Sequence, residues 1–284
     1  MKNYINDITL ILISYKSKKK VVQFINNITN NIKIIIIENS KDLTIKNEIK
    51  NKNIELIAVN NIGYAGSINH ARKYVKTKYF IIFNPDVEKV NNEVLEKFHY
   101  YAKKLKNNFA CLGPRYTNIS NKTLKQSDEN KEIDSIESIS GACMFFNSEK
   151  FDFLKGFDNN FFLYFEETDY CVRAKEKNLI SYQINSIKLK HEVGTSVEYE
   201  NEIEKNKIKE LHIWHFIWSK FYFNKKKNGL IISLILFLPI ILRTIIKIYF
   251  YKILNNKLNE KKYQLRLEGL ITSIKGENSY KRID

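Results

Sequence analysis

Three carboxylates crowd into four residues at Glu166, Glu167 and Asp169, directly after an aromatic run from Phe151 to Phe165. Like charges this close raise one another's pKa, and neighbouring aromatic rings desolvate them. A carboxylate tuned in that way serves as a general base. The same acids also suit a helix N-terminus, where they answer the macrodipole. Both readings hold together if Asp169 serves the helix, with Arg173 one turn on as its partner, while Glu167 faces a site. A fourth acid, Asp86, closes the stretch Tyr79–Asp86, YFIIFNPD. Its plainest reading is a solvated residue at a capped strand end. A carboxylate at the C-terminal edge of a buried strand also suits a hard divalent cation, Mg²⁺ or Mn²⁺, or a phosphate-bearing cofactor. His191 follows an expected strand, with Gly194 close behind. A neutral imidazole ligates metals, although a lone His is as a rule structural. His70, His99, His212 and His215 lie in helical patterns and carry no such expectation.

These residues need elements to position them. Asp7–Tyr15, Lys33–Ile37 and Tyr79–Phe83 are short apolar runs of strand length, the first suited to burial on both faces, and Ile54–Val59 reads as a further strand. Helical periodicity over Lys18–Asn30, a weak helix over Asp42–Lys50 and a helix over Gly66–Lys76 separate them. Strand and helix thus alternate through the first 86 residues. That predicts an α/β fold, Rossmann-like, with a mostly parallel sheet and helices on both faces. Polar clusters follow each strand: Ser14/Tyr15, Glu38/Asn39/Ser40, Asn60/Asn61/Gly63 and Asn84/Asp86. All four fall on one edge of such a sheet and form a nucleotide-sized site. Further on, the sequence predicts a helix over Asn91–Lys106 and a strand over Phe109–Leu112 that stops at Gly113-Pro114-Arg115. Asn118–Ser138 is polar, a loop or weak hairpin and a candidate mobile lid. An apolar stretch over Ile139–Asn147, a helix over Tyr170–Lys177 and a last strand over Ile187–His191 follow.

The chain divides in character near residue 200, which predicts one domain over 1–200 and a helical segment over 201–284. Net charge is +16, and the last 84 residues hold 17 Lys/Arg against 7 Asp/Glu. A basic segment of this kind seeks an anionic surface. Its cations flank an apolar run, Gly229–Leu242, rather than a recognition helix. That favours a membrane surface and argues against nucleic acid. The run is shorter than the ~20 residues of a spanning helix, and an extension to Ile253 would bury Arg243 and Lys247. An interfacial helix, a span and a core helix are the three readings, with the first expected. Cys111, Cys143 and Cys171 show no CxxC spacing and fit buried thiols in a reducing cytoplasm. The N-terminal stretch MKNYINDITLILISY has no small-residue cleavage site and predicts a first strand rather than a signal peptide. Neither GxGxxG nor GxxxxGK[ST] occurs.

The motifs ILISYKS, IIIIENSKD, NNIGYAGSINHA, FIIFNPDV, GACMFF, GFDNNFFLYFEETDYCVRAKEKN and HEVGTS, in this order over roughly residues 8–200, resemble glycosyltransferase family 2. Within that family they look like its rhamnosyltransferase-like bacterial members. The resemblance implies a GT-A fold and a nucleoside-diphosphate sugar donor, with rhamnose or a similar deoxyhexose as the first sugar to consider. It places Ser14, Tyr15, Glu38, Asn39, Asn61, Gly63, Asn69 and Asn84 around the nucleotide sugar. Asn84-Pro85-Asp86 stands where the family has its Asp-x-Asp motif, with Asp86 a metal ligand and His191 a second one. Glu167 stands where the family usually has Asp in a Glu-Asp pair, the catalytic base, and its arm is one methylene longer. The resemblance implies inverting transfer to a saccharide acceptor, lipid-linked at the cytoplasmic face of the cell membrane, in cell-surface polysaccharide synthesis. A catalytically inactive sugar-nucleotide-binding protein and a nucleotidyltransferase are the alternatives.

Overall fold

The computed structural model describes residues 4–28, 31–49 and 53–283. Residues 1–3, before the first strand, 29–30, at the end of the first expected helix, and 50, at the end of the second, lie outside the described residues. The chain forms two compact units, one of residues 1–158 and 167–198, the other of residues 159–166 and 199–284.

The first unit is built on a sheet. β1 (Ile8–Ser14), β2 (Lys33–Glu38), β3 (Ile54–Ala58) and β4 (Tyr79–Phe83) run parallel in the order β3-β2-β1-β4. α2 (Lys18–Asn26), α3 (Ile45–Glu48) and α4 (Gly63–Arg72) connect them, and a short α1 (Tyr4–Asp7) leads into β1. The chain runs outward from β1 to β3 and then returns to pair β4 on the other side of β1. This is a topological switch point, and the C-terminal ends of the strands there form the crevice where open α/β sheets take ligands. The second half of the sheet is mixed rather than parallel. β8 (Cys143–Asn147) pairs antiparallel with β4 and with β6 (Leu112–Tyr116). β9 (Tyr182–His191) runs parallel to β6 and antiparallel to β5 (Val87–Glu88) and β7 (Ile133–Ser135).

Alternation along the central strands builds both faces. Tyr79, Ile81, Phe83 and Phe145 join the cluster under α5 (Asn92–Lys104), where Phe98 stacks on Phe145 at 5.5 Å. On the opposite face Phe80 and Phe146 stack at 4.9 Å, and Phe151, Phe157 and Tyr170 surround Phe146 edge-on. This second aromatic cluster anchors α6 (Ser148–Phe153) and α7 (Glu166–Glu176).

Among the differences from the sequence expectation, three concern the second half of the sheet unit. The strand expected at Phe109–Leu112 begins at Leu112 and continues through Gly113-Pro114-Arg115. Pro114 is tolerated because β6 meets β8 only at Leu112, and the β6–β9 register shifts between Pro114 and Arg115. The last strand starts at Tyr182, five residues before the expected start, and includes buried Gln183 and Asn185. Those two amides explain the third difference. Gln183 Oε1 accepts from Ser127 N at 2.6 Å, and Asn185 Nδ2 donates to Asp128 O and Lys131 O at 2.7 and 2.8 Å. The polar stretch read as a candidate mobile lid is thereby tied to β9, and β7 lies within it.

The second unit is helical: α8 (Glu202–Asn228), α9 (Leu230–Ile253) and α10 (Lys257–Lys275), with residues 159–166 packed on α8. Trp214 and Trp218 are fully enclosed in its core. The apolar run that was expected to stop at Arg243 is part of a 24-residue helix that continues to Ile253.

Candidate active site

The strand register sets the first part of the site. Ser14 pairs with Glu38 at the ends of β1 and β2. Ser14 Oγ donates to Glu38 Oε1 at 3.3 Å, and Ser40 N, Ser40 Oγ and Asp42 N donate to the same carboxylate at 2.6–2.8 Å. Glu38, fully buried, therefore acts as the frame of the loop after β2. Asn39 joins three strand ends: its Nδ2 donates to Ser14 O at 3.3 Å, and its Oδ1 accepts from Ile62 N at 3.3 Å and Ser67 Oγ at 3.0 Å. Asn61 Oδ1 accepts from Gly63 N at 3.2 Å, where Gly63 takes a φ of +76° that opens α4. Tyr15 is half-buried beside them, its N–H bonded to Ser17 Oγ at 3.2 Å. Ser14, Tyr15, Glu38, Asn39, Asn61 and Gly63 thus share one sheet edge. Asn69, two turns into α4, is engaged elsewhere: its amide holds both the N–H and the C=O of Phe157, at 3.0 and 2.8 Å.

The second part sits one strand further along. Asn84, Pro85 and Asp86 turn the chain, with Val87 N donating to Asn84 O at 3.1 Å, and β5 then pairs Val87 with His191. That pairing brings Asp86 and His191 together. Asp86 is 2% exposed, and its Oδ1 lies 3.3 Å from His191 Nε2 without hydrogen-bond geometry, so this buried oxygen has no hydrogen-bond partner among the described residues. An orphaned buried carboxylate oxygen costs about 1–3 kcal/mol or more, and a cation relieves it. Asn118 fixes His191 from behind, its amide closing both the N–H and the C=O of the His191 backbone at 3.0 and 3.1 Å. Among the described residues no group of three or more His, Cys, Asp or Glu is placed to hold a metal. A two-ligand site fits a Mg²⁺-like ion that takes its remaining oxygens from phosphate and water.

The third part is α7. Tyr164 and Phe165 both adopt φ of +70°, a rare left-handed pair for bulky residues, immediately before the helix. Within the helical unit Tyr164 Oη meets His212 Nδ1 at 2.5 Å, and Phe165 packs on Phe216 and Phe223. The acids of α7 then divide. Asp169 accepts from Arg173 Nε at 2.7 Å, as the four-residue spacing predicts, and Arg173 also donates to Gly156 O at 2.7 Å. Glu167 has a shielded Oε2 with no hydrogen-bond partner among the described residues. Burial pushes its carboxyl up from 4.5 to about 7, against a smaller opposing pull from its own backbone N–H. Glu167 therefore has the proton affinity of a base working near neutral pH.

One segment links these parts. Ser138–Ala142, before β8, gives Ala142 O to Asn84 N at 2.9 Å, Gly141 O to the hydroxyl of Tyr64, and Ser138 Oγ to Thr168 Oγ1 at 3.3 Å. The Asp86 turn, the start of α4 and the first turn of α7 are thus tied to five consecutive residues. Ser17, Tyr64, Asn118 and Thr168 were not foreseen as parts of the site. Ser17 lay within a motif already quoted, whereas Asn118 sat in a polar stretch with no signal of its own.

This arrangement of a parallel half-sheet, a switch-point crevice and a mixed second half is the GT-A fold. The chain resembles the mannosyltransferase PcManGT of Pyrobaculum calidifontis, solved with GDP-Man and Mn²⁺, with a TM-score of 0.60 over 94% of this chain and 87% of that one at 9% identity. It also resembles residues 1–349 of S. aureus TarS, with a TM-score of 0.52 over 98% and 93% of the two chains at 12% identity. By sequence it is 21% identical over 198 residues to the low-salt glycan biosynthesis hexosyltransferase Agl10 of Haloferax volcanii, across 62% of this chain. The match spans 64% of that relative's length. Residues 9–173 match the family described as Glycosyl transferase family 2. The chain belongs to that family.

Proposed function

We propose that this protein is an inverting glycosyltransferase that moves a sugar from a nucleoside-diphosphate donor to a hydroxyl of a saccharide acceptor. The observation that carries the reading is Glu167, a carboxyl raised to about 7 by burial, with one oxygen that accepts no hydrogen bond among the described residues, in a chain of this family. Glu167 takes the proton of the acceptor hydroxyl, and that oxygen forms a bond to the anomeric carbon as the bond to the diphosphate breaks. The nucleoside diphosphate leaves on the opposite face, so configuration inverts, by the single-displacement geometry of inverting glycosidases. Ser14, Tyr15, Glu38, Asn39, Asn61, Gly63 and Asn84 form or frame the nucleotide-sugar edge, and Asn69 supports it through Phe157. Asp86 and His191 would hold a divalent cation, Mg²⁺ or Mn²⁺, which supplies neutralisation of the charge gathering on the leaving diphosphate.

The donor sugar is a hexose or deoxyhexose. Rhamnose on thymidine diphosphate comes first because Asn84 stands in the first position of the metal motif, as in the rhamnosyltransferase-like members. Mannose comes second, since PcManGT is a mannosyltransferase. The acceptor is a lipid-linked saccharide of cell-surface polysaccharide synthesis, reached at the cytoplasmic face of the membrane. The basic charge of residues 201–284 and the apolar α9 support that location. Incubation with a panel of sugar nucleotides and Mn²⁺ tests the reading by product. Release of a nucleoside diphosphate supports it. Release of pyrophosphate points to a nucleotidyltransferase, and binding without turnover points to an inactive sugar-nucleotide-binding protein.

A further inference from the structure

α9 is long and apolar enough to cross a membrane: 24 residues, with a mean hydropathy of 2.4 over its most apolar window and 17% of that window buried. At ~1.5 Å per residue its length exceeds a ~30 Å hydrocarbon core. Length does not decide between crossing a bilayer and lying on it, but the packed side does. Ser233, Phe237 and Thr244 are buried along one face of α9. Phe237 packs with Phe221 of α8 and Leu270 of α10, and Tyr251 stacks on Tyr263 of α10 at 5.6 Å. α10 therefore runs antiparallel beside most of α9. Its Arg266 and Glu268 lie between Tyr263 and Leu270, level with the centre of α9. A crossing α9 would take these charges to mid-membrane, each at about 2.5–3.5 kcal/mol or more.

The other side of α9 is open. Ile231, Ile235, Leu238, Leu242, Ile246 and Ile253 are 53–80% exposed and recur every three to seven residues along the whole helix. Ile232, Leu236 and Phe250 widen this stripe on one flank. A dimer seam uses a narrower stripe. Lys247, a cation that a lipid-facing helix must accommodate, turns to the α10 side, with Nζ 5.5 and 5.3 Å from the Tyr251 and Tyr263 rings. From Lys225 to Lys262 there are nine Lys/Arg and one acid, Glu260.

We infer that α9 lies flat in one leaflet of an anionic phospholipid membrane, its open stripe among the acyl chains and α10 riding above it in the headgroup layer. Interfacial helices of this type sit ~5–10 Å into the headgroup boundary, and nearby Lys and Arg add about 1 kcal/mol each on an anionic surface. The chain is thereby bound to the membrane without crossing it. This deepens the membrane association proposed above and rests on it.

The test places a tryptophan at each end and at the centre of the stripe, in the full-length variants I231W, L242W and I253W. All three positions are more than half exposed, so folding is spared, and buried Trp214 and Trp218 give a constant background. Each variant is mixed with phosphatidylglycerol/phosphatidylcholine vesicles carrying bromine at a shallow or a deep acyl position. The inference expects flotation with the vesicles, at least tenfold weaker binding to phosphatidylcholine alone, and the same shallow quenching at all three positions. Deep quenching at 242 with shallow quenching at 231 and 253 would show a span and overturn it. Absence of vesicle binding would overturn the membrane association as well, and a dimer in sedimentation would then identify a second copy as the occupant. No sugar nucleotide enters the experiment, so its outcome is independent of the catalytic reading.

Discussion

Replacing Glu167 by Gln keeps the length of the side chain and removes its proton affinity. Removal of a general base costs ~10²–10⁴ in rate, so E167Q is expected to lose kcat by that factor while donor affinity by calorimetry stays within a few-fold. The pH profile follows from the raised pKa. As the proposed base Glu167 works deprotonated, so wild-type kcat is expected to rise through about pH 7, and the residual rate of E167Q to lack that limb. Stability moves in the opposite direction. The folded state holds a proton on Glu167 that the unfolded chain releases near 4.5, so stability falls as pH rises from 4.5 to about 7. Urea midpoints measured across this window should fall more steeply for wild type than for E167Q. Asp86 has a different signature. Its Oδ1, which faces His191 Nε2 but accepts no hydrogen bond among the described residues, is the atom a cation would engage, so D86N should lower Mn²⁺ affinity, measured with nucleoside diphosphate present, by tenfold or more. Both acids were legible in the sequence, because a strand stopped by Asn-Pro-Asp and an acidic cluster behind aromatics are local patterns. Asn118 was not, since its role exists only once β5 and β9 bring His191 to Asp86.

At the level of elements, buried amides do what the apolar pattern does not announce. Asn185 Nδ2 donates to Asp128 O and Lys131 O, and its Oδ1 accepts from Arg115 Nη1 at 3.3 Å. N185A removes these three bonds at about 1–3 kcal/mol, although Arg115 Nη1 keeps Ser127 O and Asp128 O keeps Lys131 N. Urea unfolding should show that loss, and limited proteolysis should cut first between residues 118 and 138. Intact protection of that stretch would argue that β7 alone holds it. The first four strands were legible because short, largely apolar stretches stand between turn signals, even with Glu55 inside β3. The second half was less so: Gln183 and Asn185 disguise the start of β9, and Pro114 disguises β6. The antiparallel entry of β8 is a property of pairing partners far apart in sequence, which periodicity does not encode. The bend into α7 is similar, since the left-handed Tyr164 and Phe165 carry no glycine to mark them.

For the whole molecule, a sheet unit with a switch-point crevice and a helical unit coexist in one chain, and residues 201–284 hold 17 Lys/Arg against 7 Asp/Glu. Each carries its own proposal: a nucleoside-diphosphate sugar for the crevice, an anionic surface for the helices. The central claim concerns the crevice and is open to a test that needs no knowledge of the acceptor, because water can take the acceptor's place. The measurement is release of nucleoside diphosphate from a panel of sugar nucleotides with Mn²⁺, by wild type and by E167Q. The account predicts slow, metal-dependent release from one donor by wild type and a loss of ~10²-fold or more in E167Q, with donor binding kept. Equal rates in the two proteins, or no release from any donor by folded wild type, would contradict it.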